Sequence, residues 1–478
     1  MIHNRILIIF AVISLFFFPH VTADTPSKAP AASDVFETTE INIIEPRSLS
    51  TAYDNLIGKS LSIANFGQVP WGRTLIGHAY LANPLNACSK LKPPVAQHDN
   101  ENPDAEDPDH PIIFATRGDC TFDTKALNAQ MIGAKTIFII DNVEGENLNY
   151  LIPIQDKLGD SVYIPTVLLD KRSGELIKKE LEKTPPVAVS LSISFELPKA
   201  LNKTKVDLWL TSSDPRGFEF VNSLQEIRKK LKDSIEFTPH PVLWYCLQCE
   251  RRGFVGTDTD PNCVSSGRHC SPDPDAGGPL NGSQVLLEDL RQLCLFNHNQ
   301  DAWWAYFASF NKSCLNTAYL QQCSHEAIKN IGVSVSTIND CVTDSFGGGD
   351  IAKAENKIFA KESEAMKANM IRLWPTLLIN KQMYRGNLFP SDSIFEAICD
   401  GFANPPRECI YDDIGVVPPL VRYEKHYPGL IIALVVVVLA ILFVTIFICY
   451  KRRLRSEVNK EMEFMITSTM QKYVQLKE

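Results

Sequence analysis

Apolar residues follow two interleaved patterns through most of the chain. Between about Ile41 and Leu197, short runs such as HPIIFAT, KTIFIIDN, YIPTVLLD and VAVSLSISFEL alternate with helix-spaced stretches, DTKALNAQMIGA and KRSGELIKKELEK. Strands alternating with helices on this scale predict a small α/β domain over residues 41–200. Further on, VDLWLTSSD reads as strand and turn, FEFVNSLQEIRKKL as helix, and FTPHPVLWYCLQC as a strand running into Cys-x-x-Cys. QVLLEDLRQLCLF, AWWAYFASF and HEAIKNIG carry helical spacing, and WPTLLIN, KQMYRGNL and SIFEAICDGF close the region as strand, strand and helix.

Two runs are apolar without interruption. Residues 6–18 follow Arg5 and precede small residues at Val21 and Ala23, the layout of a signal peptide over 1–23; the run is too short to span a bilayer. Residues 430–449, LIIALVVVVLAILFVTIFIC, contain no charge and at the helical rise reach about 30 Å, enough to cross the hydrocarbon core. Lys451, Arg452, Arg453 and Arg455 follow at once, whereas Glu424, Lys425 and His426 on the other flank are mixed, so the basic side is expected in the cytosol. The expected plan is a flexible Thr/Ala/Pro/Ser lead-in at 24–40, domains at 41–200 and 205–410, a linker at 411–429, the membrane helix at 430–449 and a cytosolic tail at 450–478.

Charge and cysteine content fit a lumenal or extracellular ectodomain. Outside Arg5 and the tail the chain has 39 Lys/Arg against 52 Asp/Glu, and no basic stripe or zinc-finger spacing is present, so nucleic acid is not an expected partner. An acidic stretch, Asp99, Glu101, Asp104, Glu106, Asp107 and Asp109, is expected to be a solvated excursion, with a calcium or basic-cargo contact as the alternative. Of the 13 cysteines, all but Cys449 precede the membrane run, an even set that predicts up to six disulfides. Asn202, Asn281 and Asn311 head glycosylation sequons.

FATRGDCTFDTKALNAQMIGAKTIFIIDN followed by YIPTVLLDKRSGELIKK resembles a protease-associated domain. Gly118 permits a tight turn, Asp119 can cap the helix that follows, and Cys120 can tie the turn to Cys88. The plainer reading of Arg-Gly-Asp-Cys is a rigid loop, and an integrin reading of its first three letters rests on too short a motif. The second region has the element order of a thioredoxin-like fold split by a helical insert at 283–345, with Pro375 where that fold places a cis proline. FTPHPVLWYC, CVSSGRHCSPDPD, LLEDLRQLCLFN, AWWAYFASF and WPTLLINKQMYRGNL resemble the lumenal region of vacuolar sorting receptors, and the resemblance covers nearly the whole chain. The fold class expected is thus a multidomain α/β and α+β ectodomain with one transmembrane helix.

The resemblance implies binding without catalysis: capture of soluble vacuolar or lysosomal proteins in the Golgi lumen, with no cofactor and no metal. It nominates Arg117, Gly118, Asp119 and Cys120 as part of a cargo-binding surface, where Arg117 can hold a carboxylate or carbonyl. Plant members place epidermal-growth-factor-like repeats before the membrane; here Cys409 is followed only by DDIGVVPPLVRYEKHYPG. Tyr473-Val474-Gln475-Leu476 in the tail is a Tyr-x-x-hydrophobic signal that a clathrin adaptor can bind as an extended strand, which places the protein in Golgi, prevacuolar or endosomal membranes.

Three other classes were weighed. A protease lacks His-Glu-x-x-His and Gly-x-Ser-x-Gly motifs, and a membrane ubiquitin ligase would need a zinc module that a tail without histidine, or cysteine beyond Cys449, cannot build. The alternative that survives is a membrane-tethered thiol oxidoreductase or folding factor using Cys246, Cys249 and Pro375. The structural reading, in which both cysteines are locked in permanent bridges with their many neighbours, is preferred.

Overall fold

The computed structural model describes residues 39–94, 111–148, 153–243 and 260–409 apart from 155, 157, 186, 276, 316–319 and 390, and isolated positions between 447 and 462. The expected signal peptide, the acidic stretch, Cys246 and Cys249, the linker, all but Phe447 of the expected membrane run, and Tyr473 and Leu476 lie outside these residues. Among the described residues no helix is long and apolar enough to cross a membrane. The chain divides into two compact units, Met1–Gly415 and Val416–Glu478. In the second, the described residues from Tyr450 to Arg453 are helical and exposed.

The first unit opens with strand β1 (Glu40–Glu45), helix α1 (Arg47–Asp54), β2 (Leu61–Ile63), β3 (Arg73–Leu81), β4 (Ile112–Thr116), α2 (Phe122–Met131), β5 (Thr136–Ile140), β6 (Thr166–Leu169), α3 (Lys171–Leu181) and β7 (Ser190–Phe195). They form a seven-stranded sheet in the order β1-β7-β3-β4-β5-β6-β2. Strands β3, β4, β5 and β6 run parallel, and antiparallel β7 and β2 flank them. Strands β4, β5 and β6 are apolar at nearly every position because both sheet faces are covered, as parallel sheets require. Phe114, Phe138, Ile140, Val167 and Leu169 point to the face holding Leu49, Tyr53 and Ile177 of α1 and α3. Ile113, Ala115, Ile137, Ile139 and Leu168 point to the other, under Ala126 and Ala129 of α2.

The second part carries a four-stranded sheet in the order β13-β12-β8-β9, with β8 (Thr204–Leu210) parallel to β9 (Ile235–Pro241) and antiparallel to β12 (Thr376–Ile379), beside the short β13 (Gln382–Met383). Helix α4 (Pro215–Leu231) joins β8 to β9; Asp214 caps it by accepting from Arg216 N–H at 3.0 Å, and Pro215 starts it. Its Phe218, Val221, Leu224 and Leu231 recur at helical spacing and are buried.

A hairpin of β10 (Cys263–Val264) and β11 (His269–Cys270) precedes helices α5 (Gly282–His298), α6 (Gln300–Ser313), α7 (Leu320–Asn330), α8 (Val335–Ser345) and α9 (Lys357–Ala368); α10 (Ser391–Asp400) closes the domain. The aromatic run of α6 explains itself by packing. Phe307 and Phe310 stack on Phe218 of α4 at 4.8 and 5.2 Å, and Trp304 lies 4.8 Å from Phe237 of β9. The GRHC string is tied down by a Cys263–Cys270 disulfide, by Ser265 N–H to Ile351 C=O at 3.0 Å, and by an Arg268–Glu355 ion pair.

KQMYRGNL pairs as a strand for only two residues, shorter than its pattern predicts, because the chain then leaves its sheet to join the first domain. Gly386 N–H donates to Ala64 C=O at 3.0 Å and Asn387 N–H to Gly67 C=O at 2.7 Å. Trp71 donates from Nε1 to Arg385 C=O at 3.3 Å and packs 6.0 Å from the Tyr384 ring. Gly386 has φ +102°, and a Cβ there would sit 2.8 Å from the Gly67 carbonyl oxygen, so the close approach needs glycine. Asp400 of α10 accepts from Leu197 N–H at 3.1 Å, and one apolar core runs through both sheets. The two domains are therefore packed as one body, with the junction carried by the MYRGN segment.

Candidate functional site

Parallel strands β3, β4, β5 and β6 end on one side of the sheet, and the segments that follow them form a single rim: 82–88, 117–121, 141–147 and Asp170. In open α/β sheets this carboxyl edge is where ligands bind, because loops there are free to vary while the strands fix their roots. All four nominated residues, Arg117, Gly118, Asp119 and Cys120, lie on that rim.

The turn is held from several directions. Cys120 is bonded to Cys88 across a Cα–Cα distance of 5.7 Å. Gly118 has φ +109° and Asp119 φ +66°, two successive left-handed positions that make the turn sharp. Asp119 does not cap α2 as expected: Thr121 is the N-cap residue, and the Asp119 carboxylate accepts from Asn86 Nδ2 at 3.0 Å. The backbone twist at 119 swings that side chain toward the 82–88 loop, where it stays exposed.

Lys125, fully buried, is the residue that sequence reading missed. Its ammonium donates to Gly118 C=O at 2.7 Å and to Asn86 C=O, and lies 3.3 Å from Cys88 Sγ. It thus joins both limbs of the disulfide from beneath. Burial pushes its pKa down, with the Asp119 charge pulling the other way. Asp123, also buried, gathers Thr121 Oγ1–H, Thr124 N–H at 2.8 Å, and Asp156 and Leu158 N–H at 2.9 Å each. Burial works against its charge, but these donors bring its pKa below the usual carboxylate range.

Arg117 points inward along the rim. Its Nη1 donates to Asp141 Oδ1 at 2.7 Å and to Glu146 Oε2 at 3.0 Å, and the guanidinium lies 5.9 Å from the Phe122 ring. Burial opposes the charge, yet these bonds raise its pKa above the ordinary arginine value. Asp141 follows β5 directly, with a side chain 1% exposed. The loop after it, Asn142 to Gly145, is exposed and is moored by Arg117–Glu146 and by Lys171 Nζ to Asn142 C=O at 3.3 Å.

In the second domain Trp374–Pro375 is a cis peptide and Trp374 is partly exposed. Ten of the described cysteines pair among themselves, 88–120, 263–270, 294–341, 314–323 and 399–409. Cys246 and Cys249, for which permanent bridges to these neighbours were expected, lie outside the described residues. Near the end of β9, His240 stacks on Trp209 at 4.2 Å, donates from Nδ1 to Glu362 at 2.6 Å and has Asp207 3.5 Å from Nε2. Burial disfavours its charge, but the two carboxylates prevail and push its pKa up to about 9. Asn202 is exposed before β8, Asn281 caps α5 through its side chain, and Asn311 lies half-buried in α6. Among the described residues no group of three or more His, Cys, Asp or Glu could hold a metal ion.

Comparison with known proteins adds to this geometry. Residues 204–399 match the vacuolar sorting receptor thioredoxin-like domain and residues 78–177 match the PA domain. Vacuolar-sorting receptor 2 of Arabidopsis thaliana is 29% identical over 411 residues, and vacuolar-sorting receptor 1 of Pisum sativum 27% over 408, each alignment covering 80% of this chain and 62% of that protein. The chain thus spans about three fifths of the length of these curated relatives. Receptor homology region, transmembrane domain- and RING domain-containing protein 2 of Arabidopsis thaliana is 35% identical over 133 residues, covering 28% of this chain and 27% of that protein. A reduced DsbA from Mycobacterium tuberculosis aligns at 13% identity over 44% of this chain and 88% of that one, with a TM-score of 0.28, too distant to bear on chemistry. With a PA domain packed against a vacuolar-sorting-receptor thioredoxin-like domain, the chain is similar to the vacuolar sorting receptors over four fifths of its length.

Proposed function

We propose that the chain is a type I membrane receptor that captures soluble vacuolar or lysosomal proteins in the Golgi lumen and delivers them through clathrin-adaptor binding of its tail. The observation that carries this reading is the Arg117–Cys120 turn, built rigidly into the carboxyl edge of the PA sheet by the Cys88–Cys120 bridge and Lys125. Preorganisation of that kind favours recognition, since the entropy of ordering the loop is met in folding and not on binding. The membrane run at 430–449 anchors the receptor, and Tyr473 and Leu476 are the adaptor anchors. The test is loss of the chain in its native cell: soluble vacuolar hydrolases are expected in the medium by activity assay and immunoblot. Unaltered retention of every hydrolase assayed would reject the reading.

A second reading keeps one specific observation. Ten other cysteines are paired among themselves, and Cys246-x-x-Cys249, outside the described residues, has the spacing of a thiol–disulfide exchange site. Disulfide reduction by the purified full chain, abolished by Cys246→Ser, would establish it; no turnover would leave the receptor reading alone.

A further inference from the structure

Asp141 is the feature of the rim that its own fold leaves incomplete. The residue is 2% exposed, Oδ1 accepts from Arg117 and from Asn142 N–H at 2.8 Å, and Oδ2, equally buried, has no hydrogen-bond partner among the described residues. A buried carboxylate oxygen ordinarily accepts from a donor, because leaving it dry and unpaired is costly. Charge is unbalanced at the same place. One arginine nitrogen serves both Asp141 and Glu146, so two carboxylates share one cation, and Glu146 remains one-third exposed.

The segment joining these acids lies exposed on the rim. Gly145 has φ +75° with open space around it, Asn142 to Glu144 project into solvent, and Val143 exposes about half its surface. Removing Glu146 from Arg117 would expose the Asp141 side without breaking a strand, since β5 ends at Ile140.

The geometry points to Asp141 and Glu146 as a subsite for a positively charged group of the bound protein, an N-terminal ammonium or a basic side chain, with Arg117 as the resident counter-ion that holds the subsite closed when nothing is bound. The inference rests on the cargo-receptor reading and assigns a specificity to it. An ammonium or guanidinium entering beside Arg117 supplies the missing donor to Oδ2 and restores charge balance across the two acids. Arg117 is then a positioning residue, and selection lies with the carboxylates. An anionic group is disfavoured at the same point, since it would meet the Asp141 and Glu146 carboxylates.

The experiment uses the purified full-length chain and random hexapeptide libraries, presented with free N-termini, with acetylated N-termini, and acetylated without Lys and Arg. Wild-type protein is expected to enrich the first two over the third by about ten- to a hundredfold, the cost of one charge-assisted contact. Loss on acetylation alone would assign the group to the chain terminus, and loss only on omission of Lys and Arg to a side chain. Glu146→Gln, partly exposed and outside the sheet, is expected to keep its thermal melt and lose most of the preference; Asp141→Asn should lose it entirely if it folds. Enrichment with no charge preference, or preference unchanged in Glu146→Gln, overturns the subsite while leaving a peptide receptor. No enrichment from any library overturns the receptor reading and the subsite together.

Discussion

Replacing Arg117 by alanine discriminates between two roles for the most prominent side chain of the rim. If Arg117 were chiefly a donor fork for cargo, its loss would weaken binding and leave stability unchanged. In the structure its Nη1 is committed to Asp141 and Glu146, so truncation strands a carboxylate that is 1% exposed and already lacks a partner on Oδ2. Removing one partner of a fully buried pair costs about 3–5 kcal/mol, and an exposed pair contributes about 0–1 kcal/mol. Arg117 is about a quarter exposed and Glu146 a third, so water screens part of the interaction and an intermediate loss of roughly 2–3 kcal/mol is expected. For a domain of this size that corresponds to a fall in melting temperature of roughly 4–12 °C. Denaturant unfolding of wild type, Arg117→Ala, Asp141→Asn and the double variant gives the coupling directly. The double variant should recover about 1–3 kcal/mol relative to additivity, because the stranded charge is gone. An Arg117→Ala loss under about 0.5 kcal/mol with additive behaviour would refute the latch, and Arg117 would then be free to face cargo.

Three further outcomes follow from the same structure, and a fourth from the tail sequence. His240, with its pKa raised to about 9 in the fold, gains stability that is fully present below its unfolded value of 6.5 and is lost as pH rises through 9, on the order of 3 kcal/mol. His240→Gln should therefore destabilise the protein near pH 6 and flatten the stability loss between pH 7 and 9.5 in pH-resolved melts; equal slopes would exclude the clamp. Lys125→Met should lower stability by roughly 1–3 kcal/mol in denaturant titrations, since two half-buried carbonyls, Asn86 and Gly118, lose their donor; an unchanged midpoint would show that the turn does not rest on it. Gly386→Ala, forced against the Gly67 carbonyl at positive φ, should loosen the domain junction and speed limited proteolysis near residues 384–389; unchanged cleavage would mean the junction lies elsewhere. Tyr473→Ala or Leu476→Ala should shift the protein to the cell surface by microscopy without altering its melt, and unaltered distribution of both would remove the tail signal.

Much of the scaffold could be read from the sequence because its cause is local. The apolar runs IIFAT, TIFII and TVLL can only be satisfied between two covered faces, and the FEFVNSLQEIRKKL spacing can only bury one helical stripe. The site was legible in position and not in wiring. Lys125 sits in a helix where a lysine ordinarily faces water, and nothing local says that Asn86, 39 residues earlier, turns its carbonyl toward it. Asp119 looks like a helix cap by spacing, but its left-handed backbone hands the carboxylate to Asn86. Arg117 could be named as a charged fork, whereas its partners, 24 and 29 residues away, are brought to it only by the parallel pairing of β4 with β5. KQMYRGNL reads as a strand, and the reason it leaves its sheet after two residues, a junction between two domains, is tertiary.

Hydrogen–deuterium exchange on the full-length chain, with and without a purified soluble vacuolar hydrolase precursor, tests the central claim most directly. Binding at the carboxyl edge is expected to slow exchange of the backbone amides in 83–88, 117–121 and 142–147, and to leave the helical insert at 283–345 unchanged. Protection confined to the insert, or bound precursor with none of the three rim segments protected, would contradict the account.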